Sequence, residues 1–280
     1  MAFQELKCVA FDLDGTLLNA SSQLSARTEH MLHALHEKNI PVVIASGRPF
    51  STIPEKLLQL PAVRYVVTGN GVCIYDTAKQ ETVLRRSLSP QALLAVIEKT
   101  KYYPLAYEFF IDGKAYANES YVRHPEQYGL HEKACQYIQR TRIPVADVDI
   151  FVNTHQHVID SMGLSLQDMT LKTQLWHRLE QEIEDIYVTS SLPRLLEIAD
   201  HRAGKGAALE VVLSYLSLSQ EGLMAFGDAD NDKGMLELAG LGVAMGNAED
   251  TLKAVADRIT LHHDEDGVAN IVEEYLEMSR

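Results

Sequence analysis

The stretch CVAFDLDGTLL at residues 8–18 decides the fold. A short apolar run typical of a buried strand ends at Phe11, and Asp12 and Asp14 follow it, separated by one leucine. Gly15 then marks a sharp turn. Ligands of open α/β sheets bind at the carboxyl ends of the strands, so two acids at this position indicate a site there.

The same pattern of strand, polar loop and helix recurs along the chain. Ser25 precedes apolar residues at helical spacing and predicts a capped helix. The runs PVVIA at 41–45, YVVT at 65–68 and LMAF at 223–226 are apolar throughout, and each ends in a polar loop that contains glycine. Strands that are apolar on both faces and alternate with helices indicate a doubly wound parallel sheet, the Rossmann-like α/β class.

The segment of residues 87–194 shows a different pattern of predicted helices and strands. Pro90 begins a predicted helix, and LAYEFFIDGKAYA at 105–117 predicts a β-hairpin that turns at Asp112 and Gly113. Such signals favour an α+β module inserted into the first domain. We therefore expect a core domain of residues 1–86 and 195–280, and an inserted α+β domain of residues 87–194.

Composition narrows the class of protein. The 280 residues are 46% hydrophobic and 23% charged, as in a soluble globular protein of about two domains. The 25 Lys and Arg against 39 Asp and Glu give a net charge of −14, which disfavours nucleic-acid and membrane-surface partners. Three dispersed cysteines and an N-terminus without a signal-peptide pattern favour the cytoplasm. The oligomeric state stays open.

Two acidic loops predict a metal site. Asp12 and Asp14 follow one predicted strand, and Asp228 and Asp232 follow another. If these strands are neighbours, four carboxylates converge and repel one another unless a cation holds them together. Mg²⁺ is the usual ion where few carboxylates lie beside a phosphate group, so the pattern predicts a divalent cation, and Mg²⁺ if the ligand carries a phosphate.

Two further loops offer groups that suit a phosphate. Lys205 begins a predicted helix and could bridge a carboxylate and a phosphoryl oxygen, although the surrounding residues do not form a Walker loop. Ser46 and Gly47, at the end of a predicted strand, offer a hydroxyl group and backbone N–H groups to an anion.

Together these stretches resemble a known superfamily. DLDGTLL at 12–18, VIASGR at 43–48, KGAAL at 205–209 and GDADND at 227–232 occur in the order of the four motifs of the haloacid dehalogenase-like superfamily. The module inserted after the second motif, with VAMGNA at 243–248 and DGVA at 266–269, resembles the Cof-type branch of sugar-phosphate phosphatases. The resemblance covers essentially the whole chain.

The resemblance implies a Rossmann-like core with a C2-type α+β cap, and Mg²⁺-dependent hydrolysis of phosphomonoesters through a phospho-aspartate. It makes Asp12 the nucleophile, and Asp14 the group that protonates the leaving alkoxide and then activates water. Asp228, the Asp12 carboxylate and the Asp14 carbonyl group would bind Mg²⁺.

The remaining motif residues are expected to bind the phosphoryl group or to support the site. Those expected to bind it are Ser46, Gly47, Lys205 and Asn231. Those expected to support the site are Asp232 and Asn70. In the inserted module, Phe110, Asp112 and Tyr116 are candidate substrate contacts, while a hairpin core and turn would explain the same residues.

Three functions remain open at this point. The leading hypothesis is a phosphatase of hexose or pentose phosphates, with nucleotides or pyridoxal phosphate as other substrates. A phosphomutase would need groups for a second phosphate, whereas Arg123, Arg140 and Arg142 are scattered in sequence. A sensor that has lost turnover would be expected to lack Asp12 or Asp14, and both are present.

Overall fold

The computed structural model describes residues 5–278, with side chains as far as residue 276, so the ends of the predicted core domain lie outside the described residues. The chain divides into two compact units. The first unit contains the residues up to Arg48, Ile53–Leu84 and the residues from Gly204 onward. The second contains Pro49–Thr52 and Arg85–Ala203.

The described residues form strands and helices throughout both units. In chain order the strands are β1 (Cys8–Phe11), β2 (Val42–Ala45), β3 (Val63–Thr68), β4 (Cys73–Asp76), β5 (Glu81–Arg85), β6 (Leu105–Ile111), β7 (Lys114–Asn118), β8 (Arg142–Val145), β9 (Ser161–Leu166), β10 (Ile186–Thr189), β11 (Leu195–Asp200), β12 (Leu223–Gly227), β13 (Leu241–Ala244) and β14 (Arg258–Ile259). The helices are α1 (Ala26–Glu37), α2 (Glu55–Leu58), α3 (Pro90–Thr100), α4 (Glu119–Arg123), α5 (Glu132–Thr141), α6 (Val148–His155), α7 (Lys172–Glu182), α8 (Lys205–Leu216), α9 (Lys233–Leu238), α10 (Asp250–Lys253) and α11 (Gly267–Met278).

The first unit is built on an eight-stranded sheet in the order β14-β13-β12-β1-β2-β3-β4-β5. Neighbouring strands from β14 to β3 are parallel, which confirms the predicted α/β class. The central strands β1, β2 and β12 are buried along their whole length, because their apolar side chains are covered on both faces. Strand β4, which sequence analysis did not predict, pairs antiparallel with β3 and makes the sheet mixed.

The first predicted helix is present with its cap. The Ser25 side chain accepts a hydrogen bond from the Thr28 backbone N–H, and α1 begins at the next residue after the cap. Met31, Leu32 and Leu35 form its buried stripe. The cap and the spacing of the apolar residues are therefore enough to predict this helix from local sequence.

The second unit contains a six-stranded sheet in the order β10-β11-β9-β6-β7-β8. Strands β6 and β7 form the predicted hairpin, and its turn residues Asp112 (φ 49°) and Gly113 (φ 72°) both have positive φ, as a tight two-residue turn requires. Buried side chains of α3, α6 and α7 pack in the larger hydrophobic core of this unit. Side chains of α4 and α5 pack in a smaller one.

Strand β11 belongs to the second unit, whereas sequence analysis places residue 195 onward in the core domain. It pairs antiparallel with β9 and β10, so the second unit extends to Ala203, whereas the sequence prediction returns to the core domain at residue 195. The buried run LLEIAD has the apolar character of a strand, but nothing local in it specifies which sheet it joins. Across residues 5–278, no helix combines the length and hydropathy needed to cross a bilayer.

Candidate active site

Four loops of the first unit carry the motif residues. Asp12 directly follows β1, Ser46 follows β2, and Asp228 follows β12. Because β1 lies between β12 and β2 in a parallel arrangement, the carboxyl ends of all three strands meet at one edge of the sheet. Lys205, the first residue of α8, reaches the same group of side chains.

Lys205 is the buried cation of this site. Only 1% of the residue is exposed, and its Nζ lies 2.6 Å from Oδ1 of Asp12 and 2.6 Å from Oδ1 of Asp232. Burial alone would lower its pKa, but the two carboxylates raise the pKa above its usual range. The lysine therefore stays charged and joins the first acidic loop to the second.

Three carboxylates crowd around this single cation. Ligand oxygens of Asp12, Asp228 and Asp232 lie within 4.8 Å of one another. Burial, with the neighbouring carboxylates, raises the pKa of Asp12 well above its usual range. The same causes raise the pKa of Asp228 to about 7. One ammonium group is thus too little charge to balance the cluster.

This cluster fits a hard divalent cation. Asp232 uses one oxygen for Lys205 and the other for the backbone N–H groups of Asp228 and Ala229. Asp12 and Asp228 each use Oδ1 in a hydrogen bond, to Lys205 and Thr16 respectively. Within the described part of the chain no hydrogen bond is seen to their Oδ2 atoms, so these oxygens are available to a cation. An all-oxygen donor set with uncompensated negative charge suits Mg²⁺.

Asp14 does not join this cluster, although sequence analysis predicted that four carboxylates converge. Its carboxylate instead forms a two-point ion pair with Arg48, with distances of 2.7 Å from Nε to Oδ2 and 2.6 Å from the second nitrogen to Oδ1. The guanidinium group of Arg48 matches the carboxylate geometry and holds both of its oxygens. Sequence analysis did not assign a role to Arg48, which the SGR sequence of residues 46–48 could have suggested.

The loop after β2 is held in shape by its own hydrogen bonds. Ser46 is 2% exposed, its N–H donates to the Val67 carbonyl group, and its Oγ accepts from the Arg48 N–H at 3.1 Å. Gly47 lies between them and is partly exposed. These bonds fix the Ser46 hydroxyl group at the carboxyl end of β2 and leave its hydrogen to donate to an anion, whereas the N–H groups of Ser46 and Arg48 are already used within the protein.

Asn70 joins three of the loops. Its N–H donates to the Ser46 carbonyl group at 3.1 Å, and its own carbonyl group accepts from the Gly204 N–H at 2.8 Å. Its Oδ1 accepts from Nδ2 of Asn231 at 3.0 Å. Asn70 adopts a left-handed conformation (φ 56°), which asparagine tolerates better than most residues. Oδ1 of Asn231 is buried without a hydrogen-bond partner among the described residues.

The three candidates in the second unit do not share one surface. Tyr116 pairs with Phe109 across the hairpin, and its ring lies 5.2 Å from that of Phe151 beside the larger core. Phe110 is the next residue of β6, so alternation directs it to the opposite face. Asp112 lies in the turn, where the Arg85 guanidinium group lowers its pKa. Phe110 and Tyr116 thus cannot line the same wall.

Comparison with known proteins identifies the family to which this arrangement of four loops belongs. The family model of haloacid dehalogenase-like hydrolases matches residues 9–272. The chain belongs to this family, in its Cof-type branch, and is a hydrolase.

Individual relatives match over nearly the whole chain. The chain is 30% identical to Phosphatase YwpJ of Bacillus subtilis, with 97% of this chain and 100% of that protein covered. It is 28% identical to 5-amino-6-(5-phospho-D-ribitylamino)uracil phosphatase YcsE of the same organism, with 97% and 96% covered. A solved haloacid dehalogenase-like hydrolase of B. subtilis superposes with a TM-score of 0.82 at 26% identity, with 96% and 99% covered. The relatives are thus phosphatases.

Proposed function

We propose that this protein is a Mg²⁺-dependent phosphatase of small phosphorylated metabolites, with sugar phosphates as the preferred class, and that it works through a phospho-aspartate in the cytoplasm. The observation that carries the proposal is the buried Asp12 carboxylate, which shares Lys205 with Asp232 and crowds against Asp228. The named substrate of YcsE is a phosphate ester of a ribityl chain, which supports a polyhydroxylated substrate here.

The first half of the reaction transfers the phosphoryl group to Asp12. A carboxylate oxygen of Asp12 forms a bond to phosphorus while the bond from phosphorus to the ester oxygen breaks. Lys205 neutralises charge between the carboxylate and the phosphoryl oxygens, and Ser46 donates its hydroxyl hydrogen to one of them. Asp14 gives its proton to the departing alkoxide.

The second half restores the enzyme. Asp14, now ionised, accepts a proton from water as the water oxygen attacks phosphorus, and the bond from phosphorus to Asp12 breaks. Asp12 and Asp228 would hold Mg²⁺, with the Asp14 carbonyl group. The ion supplies charge compensation that lets two anions approach each other. Asp232 and Asn231, fixed by Lys205 and Asn70, keep the acidic loop in place.

The decisive experiment measures phosphate release from sugar phosphates, nucleotides and pyridoxal phosphate, with Mg²⁺ or with EDTA. We expect release that needs Mg²⁺ and disappears in Asp12→Ala, because the nucleophile is lost. Isomerised product without phosphate release would indicate a phosphomutase. Tight binding without any turnover would indicate a sensor.

A second substitution tests the role of Asp14. Asp14→Asn should slow hydrolysis of a sugar phosphate about 100-fold or more, because general acid catalysis contributes about that much. It should slow an activated aryl phosphate much less, since that leaving group departs without a proton. Equal losses on both substrates would contradict the acid role.

A further inference from the structure

A group of nitrogen and oxygen ligands lies on the turn before α11, apart from the carboxylates of Asp12 and Asp228. One nitrogen of His262, one nitrogen of His263 and one carboxylate oxygen of Asp264 lie within 4.8 Å of one another. The side chains of His262 and Asp264 are 43% and 46% exposed, so an ion can reach them from solvent. None of these three residues takes part in the chemistry proposed above.

His263 is held in the way that metal-ligating histidines usually are. Its Nδ1 lies 2.7 Å from the Leu18 carbonyl oxygen. Because a carbonyl oxygen only accepts hydrogen bonds, Nδ1 carries the hydrogen, and in the neutral ring the lone pair is on Nε2. A donor bond of this kind to a backbone carbonyl group fixes the ring and makes it a more basic ligand. The neutral imidazole of His263 thus offers a lone pair for a metal ion.

Asp264 is fixed through one oxygen and offers the other. Its Oδ1 accepts from the Ala20 N–H at 2.8 Å, and its Oδ2 lies 3.7 Å from Nδ1 of His262. Two ligand atoms on one tetrahedral Zn²⁺ ion lie about 3.3 Å apart. The two atoms therefore need to approach each other by only a few tenths of an ångström, which a small rotation of an exposed side chain provides.

His262 supplies the third ligand through a nitrogen that is only weakly engaged. Its Nδ1 accepts from the Asp264 N–H at 3.2 Å, at the long end of the usual range. An ion between Nδ1 and Oδ2 of Asp264 takes the place of this bond, and water can satisfy the N–H of the exposed residue. Glu265 and Asp266 follow directly, and their negative charge attracts a cation to this turn.

We propose that His262, His263 and Asp264 form a second cation site, which binds a divalent transition-metal ion of the Zn²⁺ type, with water completing its coordination. Imidazole nitrogen suits Zn²⁺, Ni²⁺ and Cu²⁺, whereas Mg²⁺ prefers oxygen ligands. The site therefore selects a different ion from the carboxylate cluster, and it does not depend on the proposed phosphatase activity.

A bound ion has a structural consequence for the loop after β1. Two of its ligands rest on that loop, because His263 donates to the Leu18 carbonyl group and Asp264 accepts from the Ala20 N–H. The ion therefore ties residues 18–20 to the turn before α11, which is more than 200 residues away in sequence. Binding to the folded chain in this way should stabilise it.

The test measures Zn²⁺ binding by competition with a chromogenic chelator at pH 7.5 in excess Mg²⁺. Three variants each remove one ligand but keep the hydrogen bond that its side chain makes in the turn. His262→Asn retains an acceptor for the Asp264 N–H. His263→Gln retains an amide donor for the Leu18 carbonyl group. Asp264→Asn retains an acceptor for the Ala20 N–H.

We expect wild type to bind one Zn²⁺ ion per chain through this site. Each histidine variant should bind it about 100-fold more weakly, because four-ligand zinc sites gain roughly that factor from each ligand. Asp264→Asn should lose at least about tenfold, since even changes beside a ligand have effects of that size. Zn²⁺ should also raise the urea midpoint of wild type but not that of His262→Asn. If His263→Gln does not fold, the other two variants decide the question.

Two control variants separate this site from other places where Zn²⁺ could bind. His157→Asn removes an exposed histidine of the second unit, and Asp228→Asn alters the carboxylate cluster. Both should keep a Zn²⁺ affinity close to that of wild type. A loss in Asp228→Asn as large as that in His262→Asn would place the ion in the carboxylate cluster and overturn the proposal.

Equal Zn²⁺ affinity in wild type and all three ligand variants would mean adventitious binding only, and would also overturn the proposal. Phosphate release with Mg²⁺ tests the proposed function separately. Its failure would leave the result on Zn²⁺ binding unchanged.

Discussion

At the scale of single residues, the charge on Lys205 is what makes the acidic cluster possible in the absence of a metal. It is the ammonium group that touches both Asp12 and Asp232. We expect Lys205→Met to abolish turnover and to lower the free energy of unfolding by about 3–5 kcal/mol, because it leaves buried carboxylates uncompensated. Urea unfolding in EDTA measures this loss.

The same site supplies the control for that prediction. Adding Asp232→Asn to Lys205→Met removes one of the uncompensated charges and should restore part of the lost stability. If the double variant is no more stable than Lys205→Met, the lost stability comes from packing of the lysine side chain rather than from charge.

The raised pKa of Asp228 predicts that the free energy of unfolding depends on pH. Its pKa rises from an ordinary 3.8 to about 7, so between these values the folded protein binds the proton more tightly than the unfolded chain does. Stability should therefore fall as pH rises from about 4 to 7 in EDTA, by about 2 kcal/mol after allowance for partial exposure. Unfolding free energies of wild type and Asp228→Asn at pH 5 and pH 7.5 isolate this contribution.

The Asp228→Asn variant and added Mg²⁺ each provide a check on this pH dependence. In Asp228→Asn the group no longer titrates, so this part of the pH dependence should vanish, and at pH 7.5 the variant should be more stable than wild type in EDTA. Mg²⁺ should stabilise wild type by binding the folded state, and should stabilise Asp228→Asn less. Parallel pH profiles of the two proteins would contradict the assignment.

At the scale of elements, the turn after β3 holds the loops of the site together. Gly71 has φ 98°, and a Cβ at this position would lie 2.3 Å from the Gly204 carbonyl oxygen, just before α8. Backbone strain and the clash together predict that Gly71→Ala lowers the free energy of unfolding by about 3 kcal/mol or more. Turnover should fall too, because Lys205 follows Gly204 directly.

A glycine of α9 provides the comparison for this element. A Cβ at Gly234 would lie 3.9 Å from its nearest neighbours, which is ordinary contact distance, and the residue is helical. Gly234→Ala should therefore leave stability unchanged or raise it by up to about 1 kcal/mol. Similar losses in both alanine variants would show that neither turn geometry nor close approach matters at Gly71.

At the scale of the whole molecule, the two units have separate hydrophobic cores, and each should unfold on its own. In the second unit, Glu108 and Arg142 form a buried ion pair, with 2.7 Å between Oε2 and Nε. The other carboxylate oxygen of Glu108 accepts a hydrogen bond from the Ser165 hydroxyl group. Glu108→Ala should lower the stability of that unit by about 3–5 kcal/mol, because it leaves a buried guanidinium group unpaired.

Scanning calorimetry checks this prediction. We expect two unfolding transitions. Glu108→Ala should lower the midpoint temperature of one transition only, and Lys205→Met should lower that of the other only. Glu98→Ala removes an exposed ion pair with Lys101 in the second unit. It should change the free energy of unfolding of either unit by no more than about 0.5 kcal/mol. One transition that both substitutions lower equally would show that the units unfold together.

Much of the first unit follows from local sequence. Apolar runs covered on both faces predict β1, β2 and β12, and the helix that the sequence predicts to begin at Lys205 is present as α8. These features depend on residues within a few positions of one another, which is why periodicity and turn residues suffice to predict them. The motif order then predicted the family, which comparison confirms.

Tertiary structure decided what depends on residues distant in sequence. The sequence places Asp12 and Asp14 in one loop, but only the fold directs Asp12 to Lys205 and Asp14 to Arg48. It also decided that β11 joins the second sheet and that Asn70 links three loops. The physical reason is that strand order and loop packing bring together side chains separated by tens to hundreds of residues, and no local pattern encodes which of several compatible partners each one meets.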